Sequence, residues 1–526
     1  MLIVLAAAAA LVLQQPHDHQ PAPPASAAIL AVARRPPASR SGIGEAHDSV
    51  GTSSKEALAL YNRGLAYLHS YWWLEAARCF NAALKIDPKL AVAQAQLSLV
   101  YTELNAPGAA KDAAAAARSG ADGAVDHDRR HIDLRAAQMA AESAGTWSAG
   151  AQQAFRQALD AAIAKYPTDD EFLLLRGFAE SPDPAERGQG SVAASVPFFQ
   201  KALAAAPAHF AGHHYLTHAY ENSGLVAEAL AEGATYAKMA PNAPHARHMH
   251  GHNLRRVGRI DEAIAEFEAA DGLETAYFAA ERIPADHDWH YQHNVDLLAT
   301  SYQYIGQMKK AEALLKRSFA MRSPLLVQEL NKREWPVFLL ARGRVSEALD
   351  AATVMAGEGQ RSPIVSAAGH VMIGHARLAM GEFKAAADEA NTALRLMRSS
   401  PVGAGLVASA LQALQGEFLL RTGQRDKARP MLEDVVGKVR AAPGPDAWSQ
   451  ALFTIESIAR AGREVGDWDL ASWAADQMIE HDPNYAGSQY AMALAAEHHG
   501  DRTKADAAMK RAKEYWKRAD ADAALR

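Results

Sequence analysis

From residue 56 onward, hydrophobic and polar positions recur with helical spacing in short segments divided by glycine or proline. The stretch ALALYNRGLAYLHSYWWLEAARCFNAALKIDP shows the unit: small Gly64, then Ala76 twelve residues later, then Pro88 after another twelve. Further along, a glycine repeatedly stands five residues before an alanine. The pairs are Gly224 and Ala229, Gly258 and Ala263, Gly306 and Ala311, Gly343 and Ala348, Gly381 and Ala386, Gly423 and Ala428, Gly466 and Ala471, and Gly500 and Ala505. Pro207, Pro241 and Pro483 close units as Pro88 does. The pattern predicts helical hairpins. The glycine ends the first helix in a turn of positive φ, the alanine lets the second helix lie close, and the proline stops it for want of an N–H.

This spacing resembles the tetratricopeptide repeat, a helix–turn–helix unit of about 34 residues. The likeness covers most of 56–526 and is poor over 107–195, although AFRQALDAAIAKYP there still ends like a second helix. It implies an all-α solenoid of about eleven or twelve hairpins in a right-handed superhelix, because no single hairpin can bury its own apolar face. The expected organisation is a signal peptide at 1–28, a disordered linker rich in Pro, Ala and Ser at 29–55, N-terminal and middle repeats at 56–325, and C-terminal repeats at 326–526.

Composition narrows the function classes. With 526 residues and abundant alanine, the chain suits an elongated helical array. The formal net charge of −6 and the lack of a basic block argue against a nucleic-acid partner. Cys79 is the single cysteine, which excludes an internal disulfide or CxxC site, and it is expected buried and inert within a second helix. The apolar run Leu2–Leu13 has the length of a signal-peptide core, although no Lys or Arg precedes it; Ala25-Ser26-Ala27 is one cleavage candidate. The expected location is periplasmic or secreted, with the cytoplasm as the alternative, and no transmembrane span is expected in the mature chain.

Histidine carries the candidate chemistry. The segments HHYLTHAYENSG, HARHMHGHNLRRVGR and DWHYQHNVDLLATSYQYIGQ follow the first repeat in order. Over roughly 57–320 the chain resembles a widespread bacterial group of tetratricopeptide proteins, often exported, whose middle repeats carry histidine-rich first helices. Members often have HMPSH where this chain has HMHGH, so His248 and His252 match the outer histidines, while His250 and Gly251 depart from the pattern. The resemblance supplies this pattern and no defined activity. In tetratricopeptide repeats the first helix lines the concave groove, at about positions 2, 5, 9, 12 and 13 when the turn glycine is counted as 15. That register aims His69, His214, His218, Glu221, His245, His248, His252, Arg255, Arg256, His293, Asp296, Tyr304 and His375 into the groove, with the single His69 and His375 expected as satisfied polar residues rather than ligands. His213, His250 and His290 fall off the stripe, with His250 a buried spacer.

Three readings follow. His214, His218, Glu221, His248 and His252 form a constellation able to bind Zn, Cu or Fe, since His-x3-His on neighbouring helices converges and imidazole suits these ions, and Glu221, Asp296 or Asp286 could instead hold the second nitrogen of a ligating imidazole. Alternatively the stripe is the polar floor of a groove that takes a protein or peptide, with His245, Arg255, Arg256, His293, Asp296, Tyr304 and His375 contributing and the arginines holding an anionic group. A third reading is a groove that gains charge in mild acid. Scaffolding through the groove is the first expectation and a metalloprotein the alternative. There is no Gly-rich phosphate loop, HExxH or GxSxG, so no catalytic residue is expected. Tyr71, Trp72 and Trp73 are expected to pack between helices, and DHDRRHID at 126–133 reads as a charged helix start that could cap the groove.

Overall fold

The computed structural model describes residues 26–142, 149–181, 192–323, 325–360, 362–401, 403–442 and 444–523. These form twelve helical hairpins. The first pairs Lys55–His69 with Trp73–Ile86, the second Ala91–Glu103 with Pro107–Gly120, and the third Asp126–Glu142 with Ala149–Lys165. Next come Asp170–Phe178 with Val196–Ala205, Ala211–Asn222 with Val226–Met239, Pro244–Arg256 with Ile260–Glu281, and Trp289–Tyr304 with Met308–Ala320. The eighth has a divided first arm, Leu326–Asn331 and Glu334–Ala341, before Val345–Ala356. Pro363–Ala379 with Phe383–Ser399, Gly405–Arg421 with Arg425–Ala441, Pro445–Glu464 with Trp468–His481, and Ala486–His498 with Arg502–Tyr515 complete the array. Hairpins therefore continue through 107–195, where the sequence spacing is weakest.

All eight turn glycines of the repeating pattern have φ between 70° and 81°. In the first two hairpins the same position, five before Ala76 and Ala110, is held by Tyr71 at φ 57° and Asn105 at φ 56°. A left-handed tyrosine costs about 1–2 kcal/mol, so its ring must return at least that much in packing.

Stacking does not leave an open groove over the middle hairpins. From one side the first hairpin inserts its turn. Trp72 packs edge-on to Tyr277 with ring centroids 4.9 Å apart, Tyr277 Oη donates to Glu75 at 3.0 Å, and Arg78 pairs with Glu281 at 2.9 Å. From the other side the last two hairpins close in. Arg255 Nη1 donates to Ser449 Oγ at 2.6 Å, Tyr304 Oη donates to Asp482 at 2.6 Å, and Asp520 N donates to the carbonyl of Gly306 at 3.0 Å. Every residue of Trp289–Tyr304 is buried as a result, the signature of a helix enclosed on all faces. One hydrophobic cluster runs from Leu254 to Ala495 and so crosses 325/326.

Residues 29–55 correct the expectation of a disordered linker. Ile29, Val32, Ile43, Ala46 and Val50 are buried in the main core. The first hairpin satisfies the carbonyls of this strap: Arg63 Nη2 donates to Ala38 O at 2.8 Å, Arg78 Nε to Pro36 O at 3.1 Å and Asn81 Nδ2 to Ala33 O at 3.0 Å. Periodicity is absent because the strap docks through its own buried side chains and through carbonyls that accept from its neighbour's side chains, rather than through a ladder of its own. Ser26 caps the short helix Ala27–Val32; the rest of the expected signal segment, residues 1–25, lies outside the described residues.

Candidate metal centre

The helix Pro244–Arg256 starts with proline in its first turn and ends at the left-handed Gly258, which fixes its register. Gly251 lets it touch its partner, because a Cβ there would lie 2.7 Å from the Phe267 ring. On its inner face His248 and His252 stand one turn apart with ring centroids 4.3 Å apart. Opposite them, Asp288 caps Trp289–Tyr304 by accepting from His290 N and Tyr291 N, and this helix brings in His293. His293 lies 4.8 Å from His248 and 5.3 Å from His252 between centroids. One ligand atom from each of the three falls within 4.8 Å of the others.

Their orientation is what a metal centre needs. His248 Nδ1 is 3.0 Å from Asn294 Oδ1, His252 Nδ1 is 3.4 Å from Glu221 Oε2, and His293 Nδ1 is 3.1 Å from Asp446 Oδ1. An oxygen bonded to Nδ1 fixes the tautomer of His248 and His252 with the proton on that nitrogen and leaves their Nε2 lone pairs for a ligand role, while Asp446 faces His293 at ion-pair distance. The Nε2 atoms of all three are buried without a hydrogen-bond partner. Three imidazoles with an open fourth position fit Zn²⁺ or a similar ion.

A second trio lies alongside. His214 Nδ1 donates to the carbonyl of His69 at 2.7 Å, so its Nε2 carries a lone pair. His218 Nε2 lies 3.1 Å and His245 Nε2 3.0 Å from that same atom. One lone pair serves one N–H donor well, whereas three converging imidazole nitrogens suit a cation. Burial, followed by neighbouring imidazoles, holds His214, His245, His248 and His252 well below the ordinary histidine value. Burial brings His218 down to about 4 against the pull of Glu221. These rings are neutral at pH 7, the protonation state in which imidazole binds a metal. Burial works against the Asp446 charge, but His293 overrides it and holds this carboxyl below its usual range.

The expected single constellation is therefore corrected. His248 and His252 meet His293, while His214 and His218 meet His245; Glu221 stands behind His252, the supporting place that was the other expectation for it, instead of converging with the imidazoles. Nor is the stripe a solvated groove floor: His214 is 0% exposed and His248 and His252 are 2% exposed, because the flanking hairpins cover them. Arg255 and Arg256 face inward onto Trp448, at 5.2 and 4.9 Å from its ring centroid, instead of into an anion site. Tyr304 is committed to Asp482. Asp296 is buried, and burial followed by Glu334 pushes its carboxyl up. His375 lies apart, bonded to Glu417 at 2.7 Å. His250, expected as a buried spacer, is half-buried beside Glu266 at 3.3 Å.

Sequence reasoning missed several participants. His290, off the groove register, stacks on Trp289 with centroids 3.6 Å apart and on Tyr71 at 5.0 Å. Asn294 and Asp446 carry no periodic signal. Glu171 and His209 were likewise missed: His69, which the register did place, lies 3.0 Å from both Glu171 oxygens and 2.7 Å from Tyr215 Oη, with His209 nearby. Tyr71 did have a sequence signal, its place five residues before Ala76. Tyr71, Trp72 and Trp73 pack as expected, with Tyr71 against the rings of His214 and His245 at 4.7 Å each. Cys79 is buried.

A family model for the tetratricopeptide repeat matches residues 57–90. No curated protein matches the chain. Among solved structures, a tetratricopeptide repeat protein from Parabacteroides merdae is 15% identical, with 50% of this chain and 93% of that one covered and a TM-score of 0.33. The apo form of the quorum sensor NprR from B. thuringiensis is 9% identical, with coverages of 82% and 99% and a TM-score of 0.42. The human IFIT1 dimer with m7Gppp-AAAA is 12% identical, with coverages of 88% and 91% and a TM-score of 0.36. Given the matched repeat at 57–90 and the helical hairpins that recur to residue 515, eight of them turned by a left-handed glycine, the chain belongs to the tetratricopeptide repeat superfamily.

Proposed function

We propose that this tetratricopeptide protein binds a divalent transition metal ion through His248, His252 and His293. The observation that carries the reading is the set of three buried Nε2 atoms without hydrogen-bond partners, each backed across its ring by an oxygen of Asn294, Glu221 or Asp446. The bound ion would be a Lewis acid with one position left for water or another ligand. His214, His218 and His245 would offer a second position of the same chemistry. Zn²⁺, Cu²⁺ and Fe²⁺ all suit imidazole. The test is elemental analysis of purified protein beside the double variant His248→Ala/His252→Ala. At least one equivalent of metal in the wild type and the loss of one equivalent in the variant are expected. Wild-type protein that stays empty after exposure to each ion at neutral pH would overturn the reading.

The repeats also support a protein-interaction scaffold. A protein or peptide partner would then meet hairpins outside the covered centre; exposed Met380 and Phe383 at the ninth turn are apolar contacts of that kind. Capture of a partner by the wild type and its loss on Phe383→Asp would support this role. A periplasmic or secreted location rests on the apolar run Leu2–Leu13, and among the described residues no helix is long and apolar enough to cross a membrane. A fusion of the N-terminal segment to a reporter active only outside the cytoplasm tests export.

A further inference from the structure

Outside the histidine stripe, the strap of residues 29–55 meets the third and fourth hairpins at a mixed cluster. His127 and His131 stand one turn apart on Asp126–Glu142 and leave the same face. Asp169 caps Asp170–Phe178 with Oδ1, which accepts from Phe172 N at 2.9 Å, and its Oδ2 lies 2.6 Å from His127 Nε2. The strap supplies Asp48, whose Oδ1 is 3.5 Å from the same His127 Nε2 and whose Oδ2 is 3.8 Å from His131 Nε2. One ligand atom from each of the four lies within 4.8 Å of the rest.

We propose that Asp48, His127, His131 and Asp169 form a separate divalent-cation centre that fastens the N-terminal strap to the body of the solenoid. Two imidazoles and two carboxylates are a four-ligand set for Zn²⁺, Mn²⁺ or Fe²⁺ and leave the site neutral when filled. The nitrogen His131 Nε2 is buried, faces Asp48 and has no hydrogen-bond partner. The groups behind the four hold them in place. Asp128 Oδ1 sits 3.3 Å from His127 Nδ1, Asp128 Oδ2 accepts from Gly51 N at 3.0 Å, and Asp48 N donates to Asn62 Oδ1 at 3.1 Å. Gly51, Asp48 and Ile43 belong to one strap segment, and its earlier turn accepts from Asn242 N through Gly42 O at 2.7 Å. A cation at Asp48 would therefore pin the whole stretch that crosses the first hairpin. The competing arrangement is a metal-free ion pair, in which a proton on His127 balances Asp169.

The test uses the full chain, equilibrated with Zn²⁺ and dialysed, for the wild type, Asp48→Asn and His131→Ala. Zinc equivalents are counted, and hydrogen exchange is followed over residues 33–52. The expected result is the loss of one equivalent in each variant, together with a Zn²⁺-dependent slowing of strap exchange by tenfold or more in the wild type alone. The equivalents that His248→Ala/His252→Ala removes should remain in both variants, so this centre and the tri-histidine centre fail separately. Unchanged stoichiometry in the strap variants, or strap exchange indifferent to Zn²⁺, would overturn the proposal. If His131→Ala fails to fold by circular dichroism, Asp169→Asn takes its place with the same expected and overturning results.

Discussion

Tyr71 occupies the turn position that glycine holds in eight other hairpins, and its ring stacks on His290 at a centroid distance of 5.0 Å and an interplanar angle of 22°. A strained backbone in the first repeat thus delivers an aromatic ring into the histidine core of the seventh. Tyr71→Gly should relieve about 1 kcal/mol of left-handed strain but forfeit about 3–5 kcal/mol of buried aromatic packing. The expected net loss is about 2–4 kcal/mol in denaturant unfolding. Gly423→Ala, at φ 79° and in open space, should cost only about 1 kcal/mol. A Tyr71→Gly variant as stable as the wild type would show that the ring does not lock the first hairpin down.

The oxygens behind the tri-histidine centre should tune it without being ligands. Glu221→Gln and Asn294→Ala are each expected to weaken Zn²⁺ binding about 10–100-fold, measured by competition with a chelating dye. His248→Ala should abolish binding at this centre. Glu417→Gln, which touches only the distant His375 and Arg421 pairs, should leave it unchanged.

Buried neutral imidazoles make the metal-free fold sensitive to acid. Burial holds His69 and His218 down at about 4, whereas an unfolded histidine takes its proton near 6.5. Between those values the unfolded chain binds the extra protons. Stability therefore falls as pH drops from about 6.5 to 4, by on the order of 3 kcal/mol for each such ring. Urea midpoints measured without metal from pH 8 to pH 4 should decline steeply in that window. A flat profile would mean these imidazoles are solvated.

Cys79 should resist alkylation. Burial pushes its thiol up to about 12, so at pH 8 the reactive thiolate is scarce as well as enclosed. An aromatic disulfide reagent should label it only after unfolding, and fast labelling of the native protein would contradict the packing of the first hairpin.

Period and punctuation were enough to read the hairpins. Gly224, Gly258, Gly306 and their counterparts sit in left-handed turns because only a local steric rule is involved, and that rule is written in the residue itself. The same local periodicity put His248 and His252 on one face. What only tertiary structure decided was which rings meet. His293 joins His248 through a helix some forty residues away, and Asp446 reaches His293 from the eleventh hairpin. The strap was unreadable for a similar reason: its order comes from Arg63, Arg78 and Asn81 binding its carbonyls, not from any pattern of its own. Burial was the largest unread fact. A repeat pattern defines each hairpin and its neighbour, but the closure of the first and last hairpins over the middle ones depends on curvature summed along the solenoid. That sum turned an expected open groove into an enclosed histidine core.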